Sequence, residues 1–318
     1  MTQDATFPTR PSRPPGKLGA LSDDNRGMLL GLAGVALFSL TLPCTRLAVR
    51  QLDPAFVALG RALVAAMLAA AWLGWRRAPL PPRSAVLPLL AVAAGCVVGF
   101  PWLTSIAMQT LPAAHGAVLV GILPLATALC AVLRGGERPS PGFWLTALAG
   151  SALVVGFALR QGGGSLHGAD AAMLLAVALG ALGYAEGGRL AQSMGGQQVI
   201  CWALLLSVPL VLPLAVWLGW PQRAAMATAS ASAWAGFAYV SVFSMFIGFF
   251  FWYRGMALGG VVRVGQVQLL QPFLTLAGAA VLLGEPLSGA HLLFALAVLA
   301  TVVAGRRMRV RRTIPVVQ

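Results

Sequence analysis

Apolar runs of helix length follow one another along almost the whole chain, separated by short gaps rich in Pro, Gly and Arg. A bilayer core about 30 Å thick needs about 20 apolar residues as helix, and backbone facing lipid tolerates only helices or closed barrels. The runs have the helical length throughout. They predict transmembrane spans at about 28–46, 54–75, 86–108, 115–133, 142–160, 171–190, 199–219, 232–253, 261–283 and 288–305. The first run begins near Met28. The tail before it is too long and irregular for an ordinary signal peptide, and is expected to be retained and disordered.

Ten spans return the chain to the side it started from. With the N terminus in the cytoplasm, the basic tails and Arg76, Arg77, Arg83, Arg134, Arg138, Arg189, Arg254 and Arg263 fall inside, while Arg46, Arg50, Arg160 and Arg223 fall outside. This is the asymmetry that the positive-inside rule requires across short loops. Composition agrees: 58% of residues are hydrophobic and 9% charged, against roughly 25% charged in a soluble domain. The net charge of +14 is scattered between apolar runs and forms no continuous basic face, which argues against a nucleic-acid partner. Cys44, Cys96, Cys130 and Cys201 stand singly in apolar stretches and read as packing residues, without metal-type pairing or a disulfide framework.

The chain repeats itself. A shift of 148 positions (272 − 124) aligns Pro124, Thr127, Ala131, Gly136, Glu137 and Ser140 with Pro272, Thr275, Ala279, Gly284, Glu285 and Ser288 without a gap. A weaker echo pairs Arg46-Leu47-Ala48 with Arg189-Leu190-Ala191. Spans one to five therefore repeat as six to ten. An odd number of spans per half makes the second half enter from the opposite side. The predicted fold is all-α and integral to the membrane, ten helices as two inverted five-helix repeats. Its expected parts are a cytoplasmic tail over 1–26, repeats over 27–160 and 161–307, and a second cytoplasmic tail over 308–318. Many secondary transporters use this plan to place a site near the midplane, between the repeats.

Several motifs carry a resemblance. They are Arg61 in the second span after Asp53-Pro54, Pro124 leading to Gly136-Glu137, the run from Gly265 through Gln266, Gln268 and Gln271 to Pro272, and the aromatic stretch Phe249–Trp252-Tyr253-Arg254. From about Arg26 to Arg307 the chain resembles the EamA family of the drug/metabolite transporter superfamily. The resemblance implies a ten-helix inverted-repeat carrier of the bacterial inner membrane, handling amino acids, metabolites or drugs, often as an exporter. It also implies a cavity lined by spans one, three, four, six, eight and nine. Phe38 stands where many relatives carry Trp, and no motif selects the family's aromatic amino acid exporters.

Individual residues suggest roles within that plan. Glu186 lies inside the sixth span, where carboxylates are expensive and often functional; it reads either as a proton-coupling or cation-binding group or as an i,i+3 partner of Arg189. Arg61, about two turns into the second span, must snorkel, pair, or face the interior, where its guanidinium fork suits an anion. Arg263 and His115 occupy equivalent repeat positions, near the inner and outer entrances. On the ninth span, Gln266 and Gln271 are better placed than Gln268 to face one cavity. Trp102, Tyr184, Tyr239, Ser244 and Trp252 supply aromatic and hydroxyl groups for a binding cavity, although Trp252 also fits an interface belt.

Gly136-Glu137 and Gly284-Glu285 precede Ser140 and Ser288, as helix-end glycines and serine caps do. No P-loop or Gly-x-Ser-x-Gly motif is present, and His115, His167 and His291 lack ligand-like spacing. The expectation is thus a non-enzymatic secondary transporter without a cofactor. It exports a small-molecule substrate such as an amino acid by alternating access, with protons as a candidate coupling ion and the lipid bilayer as its surroundings. The alternatives are efflux of lipophilic cations or other drugs and, in another class, an intramembrane enzyme or structural membrane protein.

Overall fold

The computed structural model describes residues 22–134, 137–162, 168–219, 221 and 223–284, residues 289, 293, 296, 297, 300, 301, 303 and 304, and the segment 310–312. Seven stretches of these are long and apolar enough to cross a membrane: Asp23–Val49, Pro54–Trp75, Arg83–Thr110, Gly168–Met194, Gly196–Gly219, Ala231–Gly259 and Val261–Leu283. The expected fourth span is a broken pair, α6 (Ala113–Val120) and α7 (Leu123–Leu133), and the expected fifth is α8 (Pro141–Gly162). Most of the expected tenth, at 288–305, lies outside the described residues, as does the tail before Ser22.

The first stretch comprises α1 (Asp23–Ser39) and α2 (Thr41–Val49). It starts ahead of Met28 because Ser22 caps it, accepting from the Asn25 amide at 3.3 Å, with Asp23 and Asp24 in the positive first turn. The interruption at Leu40 lies three residues before Pro43, which has no amide hydrogen to continue the ladder. Helix α3 (Pro54–Trp75) opens on Asp53, whose side chain accepts from Phe56 N at 3.0 Å, with Pro54 in its first turn.

The third span is α4 (Arg83–Val92), a π-helical segment at Ala93–Gly99, and α5 (Phe100–Thr110). The sixth and seventh spans are single helices, α9 (Gly168–Met194) and α10 (Gly196–Gly219), and a short α11 (Arg223–Ala227) follows. The eighth comprises α12 (Ala231–Tyr239), a second π-helical segment at Val240–Ile247 and α13 (Gly248–Gly259); the ninth comprises α14 (Val261–Gly265), a 3₁₀ turn at Gln266–Leu270 and α15 (Gln271–Leu283). Shifted by the 148 positions of the sequence repeat (231 − 83), α4 starts with α12, α5 with α13, α6 with α14 and α7 with α15. Both π segments end at equivalent residues, Gly99 and Ile247. Gly284, at φ 73°, closes α15 as the expected left-handed glycine cap, and Ser140 accepts from Phe143 N at 3.3 Å.

Packing depends on small residues. Helix α1 lies on α13 and α3 on α10, while α9 touches α4, α5, α7, α10 and α13. At the α1–α13 crossing, Gly27 and Gly31 face Gly255 and Gly259 so closely that a Cβ on Gly27 would sit 2.5 Å from Gly259 N, and one on Gly255 2.8 Å from Gly31 N. Dispersion and close backbone approach substitute here for a hydrophobic drive that lipid cannot supply. The outer surface is apolar, with Met67, Leu87, Leu133, Leu145, Trp217 and Val281 each more than half exposed.

Two short strands, β1 (Glu137–Pro139) and β2 (Val310–Arg312), pair antiparallel, joining the segment after α7 to the expected C-terminal tail. They share an end of the bundle with Asp24, Arg263 and Glu186. The other end carries Arg46, His115, Asp170 and Ser230.

Replacing Gly255 by Leu forces backbone from backbone and is expected to cost about 1–3 kcal/mol. Gly74→Ala, with open space around its Cβ position, stays within about 0.5 kcal/mol. Thermal unfolding of the two variants in detergent checks the contrast; equal melting temperatures would remove the glycine contact as a determinant of the fold.

Candidate functional site

A narrow cavity of about 20 Å³, room for a water molecule or little more, lies at the centre of the bundle. Phe38, Thr41 and Leu42 line it from the first span, Arg61 from the second, Cys96 and Phe100 from the third, and Val120 from the fourth. Gly180 and Tyr184 come from the sixth, Ser244 and Phe249 from the eighth and Gln271 from the ninth. Two pairs of lining residues are repeat equivalents. Cys96 and Ser244 are 148 apart (244 − 96), one in each π segment, and Thr41 and Tyr184 are 143 apart (184 − 41), the offset of Arg46 and Arg189. A π turn adds a residue to the helix and turns side chains out of register, a device common at functional sites.

Arg61 is the charged residue of this cavity, 2% exposed. Its Nη2 donates to Ser244 Oγ at 3.4 Å, a long contact, and Ser244 Oγ in turn shares a hydrogen bond of 2.8 Å with Thr41 Oγ1. Its Nε and Nη1 are buried without a hydrogen-bond partner, and so is Gln271 Oε1. Among the described residues no carboxylate lines the cavity. Among the described residues Arg61 forms no salt bridge.

The same cavity has an aromatic wall. Phe38 stacks on Tyr184 with centroids 6.2 Å apart and planes at 17°, and meets Phe249 edge-on at 5.0 Å. Trp252 packs behind, 5.4 Å from Tyr184 and 6.1 Å from Phe38. Trp252 is fully buried and is no interface-belt residue; it fills the space left by Gly31 and Gly34 of α1. Tyr253 OH donates to Gly183 O at 3.1 Å, fixing the eighth span to the sixth just beneath the wall.

The other residues singled out by the sequence hold the ends together. Glu186 is fully buried between Arg134 Nε and Arg189, whose Nη2 and Nε lie at 2.9 and 3.3 Å. The i,i+3 partner was legible; Arg134, 52 positions away, was not. Arg263 pairs with Asp24, and His115 Nε2 lies 2.8 Å from Asp170 Oδ1. Arg263 and His115 are 148 positions apart (263 − 115), the offset of the sequence repeat, and each pairs with an acid near the start of a long helix, Asp24 of α1 and Asp170 of α9. Arg46 donates to the carbonyls of Met108 and Leu111 at the end of α5.

Four residues expected in the cavity do not line it: Trp252, packed behind the aromatic wall, and Trp102, Tyr239 and Gln266. Trp102 packs against the core. Tyr239 donates to Leu37 O at 3.1 Å and stacks on Phe243, and Gln266 Nε2 reaches Thr146 Oγ1 at 3.5 Å. Thr41, Phe249 and Phe100 were missed. Hydroxyls and phenyl rings are ordinary occupants of apolar helices, so nothing in the local sequence marks them. Among the described residues no three His, Cys, Asp or Glu side chains are grouped as a metal site.

A multi-pass helical bundle around a polar and aromatic cavity is the form of a membrane transporter. The sequence pattern of the EamA-like transporter family matches this chain twice, over residues 25–158 and 167–304, and the chain belongs to that family. A Bacillus subtilis (strain 168) protein described as the uncharacterized transporter YdeK is 48% identical over 287 residues, 90% of this chain and 99% of its own length. A crystal structure described only as that of a protein shares the fold, with a TM-score of 0.67 at 18% identity over 88% of this chain and 98% of its own.

Glu186→Gln leaves Arg134 and Arg189 facing a neutral amide. Because both arginines are about half exposed, water compensates in part, and the expected loss is about 1–2 kcal/mol, between a surface pair and a buried one. Thermal unfolding in detergent measures it. An unchanged melting temperature would mean that the triad does not hold the sixth span to α7.

Proposed function

We propose that the protein is a secondary carrier of the bacterial cytoplasmic membrane, exporting a small metabolite such as an amino acid by alternating access. Its ten spans form two inverted five-helix halves, and both termini lie in the cytoplasm. The observation that carries this reading is the central cavity, lined from both halves and including repeat-equivalent residues at two pairs of positions. Matching element boundaries and the twofold family match support the halves, and the concentration of arginines at one end supports the orientation.

In this scheme the two cross-half pairs guard the mouths of the pathway. Arg263–Asp24 closes the inner one, His115–Asp170 the outer one, and Glu186 with its two arginines braces the inner end. A lipophilic cation gains no carboxylate in the cavity among the described residues, so efflux of such compounds is the weaker reading. If Glu186 carries a coupling proton it must part from both arginines during the cycle.

Reconstituted in liposomes, the protein is expected to show saturable counterflow of a labelled amino acid. Leak without saturation or exchange would sink the carrier. Uptake whose pH dependence survives Glu186→Gln intact would remove Glu186 as the coupling group.

Breaking the inner mouth with Asp24→Asn is expected to raise alkylation of Cys96, at the cavity wall, severalfold, with the Cys96→Ser variant as the blank. An unaltered rate would separate the Arg263–Asp24 pair from gating.

A further inference from the structure

Resting on the carrier reading, and deepening it, we infer that the cavity is built for a ligand bearing a single carboxylate, whose anionic group pairs with Arg61 while its apolar body lies along Phe38, Tyr184 and Phe249. An ion removed from water costs several kcal/mol unless an opposite charge compensates it. Among the described residues Arg61 has no such compensation: Nη2 donates to a serine hydroxyl at 3.4 Å, and Nε and Nη1 have no hydrogen-bond partner. The buried acids Glu186 and Asp170 face Arg134, Arg189 and His115 at the two ends.

The orphaned donors are arranged as a ligand would need them. Nε and a terminal nitrogen of a guanidinium form a planar fork that matches the two oxygens of a carboxylate. Among the described residues one cation lines the cavity, so one negative charge neutralises it, and a dianion would bring in surplus charge. A cationic amphiphile would add a second positive charge beside an uncompensated first. The free Gln271 Oε1 accepts a hydrogen bond, which accommodates an ammonium or hydroxyl on the same ligand. At about 20 Å³ the cavity has to widen to admit such a ligand, as the opening half of an alternating-access cycle does, and the aromatic wall favours an apolar tail.

Four probes that share a phenyl body test this in purified protein in detergent: 3-phenylpropionate, L-phenylalanine, 3-phenylpropionamide and phenethylamine. The two carboxylates are expected to raise the melting temperature by a few degrees, and the amide and amine to leave it unmoved. Arg61→Gln should abolish the carboxylate response, Arg61→Lys should retain part of it, and Arg254→Gln, exposed and outside the cavity, should keep it whole. If Arg61→Gln does not fold, the Lys variant and the wild-type ranking still decide. Equal shifts from all four probes, a response to none, or a full carboxylate response in Arg61→Gln would overturn the inference. Carboxylate binding without counterflow keeps this assignment and defeats the carrier; counterflow that amide and amine inhibit as well as the carboxylates does the reverse.

Discussion

Backbone in hydrocarbon must satisfy its own hydrogen bonds, and the architecture follows from that constraint. Regular helix faces lipid, so every departure from regular helix has to be turned inward. The departures sit where cavity side chains arise. The break at Leu40 precedes Thr41, the two π segments carry Cys96 and Ser244, and the 3₁₀ turn at Gln266–Leu270 runs into Gln271. The break after α6 follows Val120. The cavity is thus the place where the bundle accommodates its irregular backbone.

Charge is distributed by the same economy. At the ends, water reaches the arginines of the Glu186 triad and screens them, so these pairs are worth little individually and act as fasteners. At the centre the dielectric is low and Arg61 has only hydroxyl and aromatic neighbours. The repeat makes the contrast sharper, because Thr41 and Tyr184 are counterparts, as are Cys96 and Ser244, whereas Arg61 has no basic counterpart in α10. The charge at the cavity is thus unmatched where several of its neighbours are matched.

Much of the bundle was legible from hydropathy, since spans of about 20 apolar residues have few alternatives in a chain this poor in charge. The ends were less so: α1 and α9 extend beyond the apolar runs because capping residues and snorkelling side chains carry helix into the interface. The repeat was visible through Pro124 and Pro272 and the Gly-Glu pairs, whose backbone roles tie them to fixed positions. The cavity was half visible. Arg61, Tyr184, Ser244 and Gln271 stood out as polar groups in apolar helices. Whether such a group faces a cavity, as Gln271 does, or a neighbouring helix, as Gln266 does, depends on helix rotation, which a 3₁₀ turn alters without a sequence mark. Partners such as Asp24 for Arg263 and Arg134 for Glu186 are distant in the chain and arise only on folding.

The matched π turns also bear on descent. A π turn is a one-residue insertion that a helix has absorbed, and two unrelated insertions have no reason to end at equivalent residues such as Gly99 and Ile247. One insertion carried in a repeated segment would leave this mark, with Cys96 and Ser244 at the same place in each widened turn.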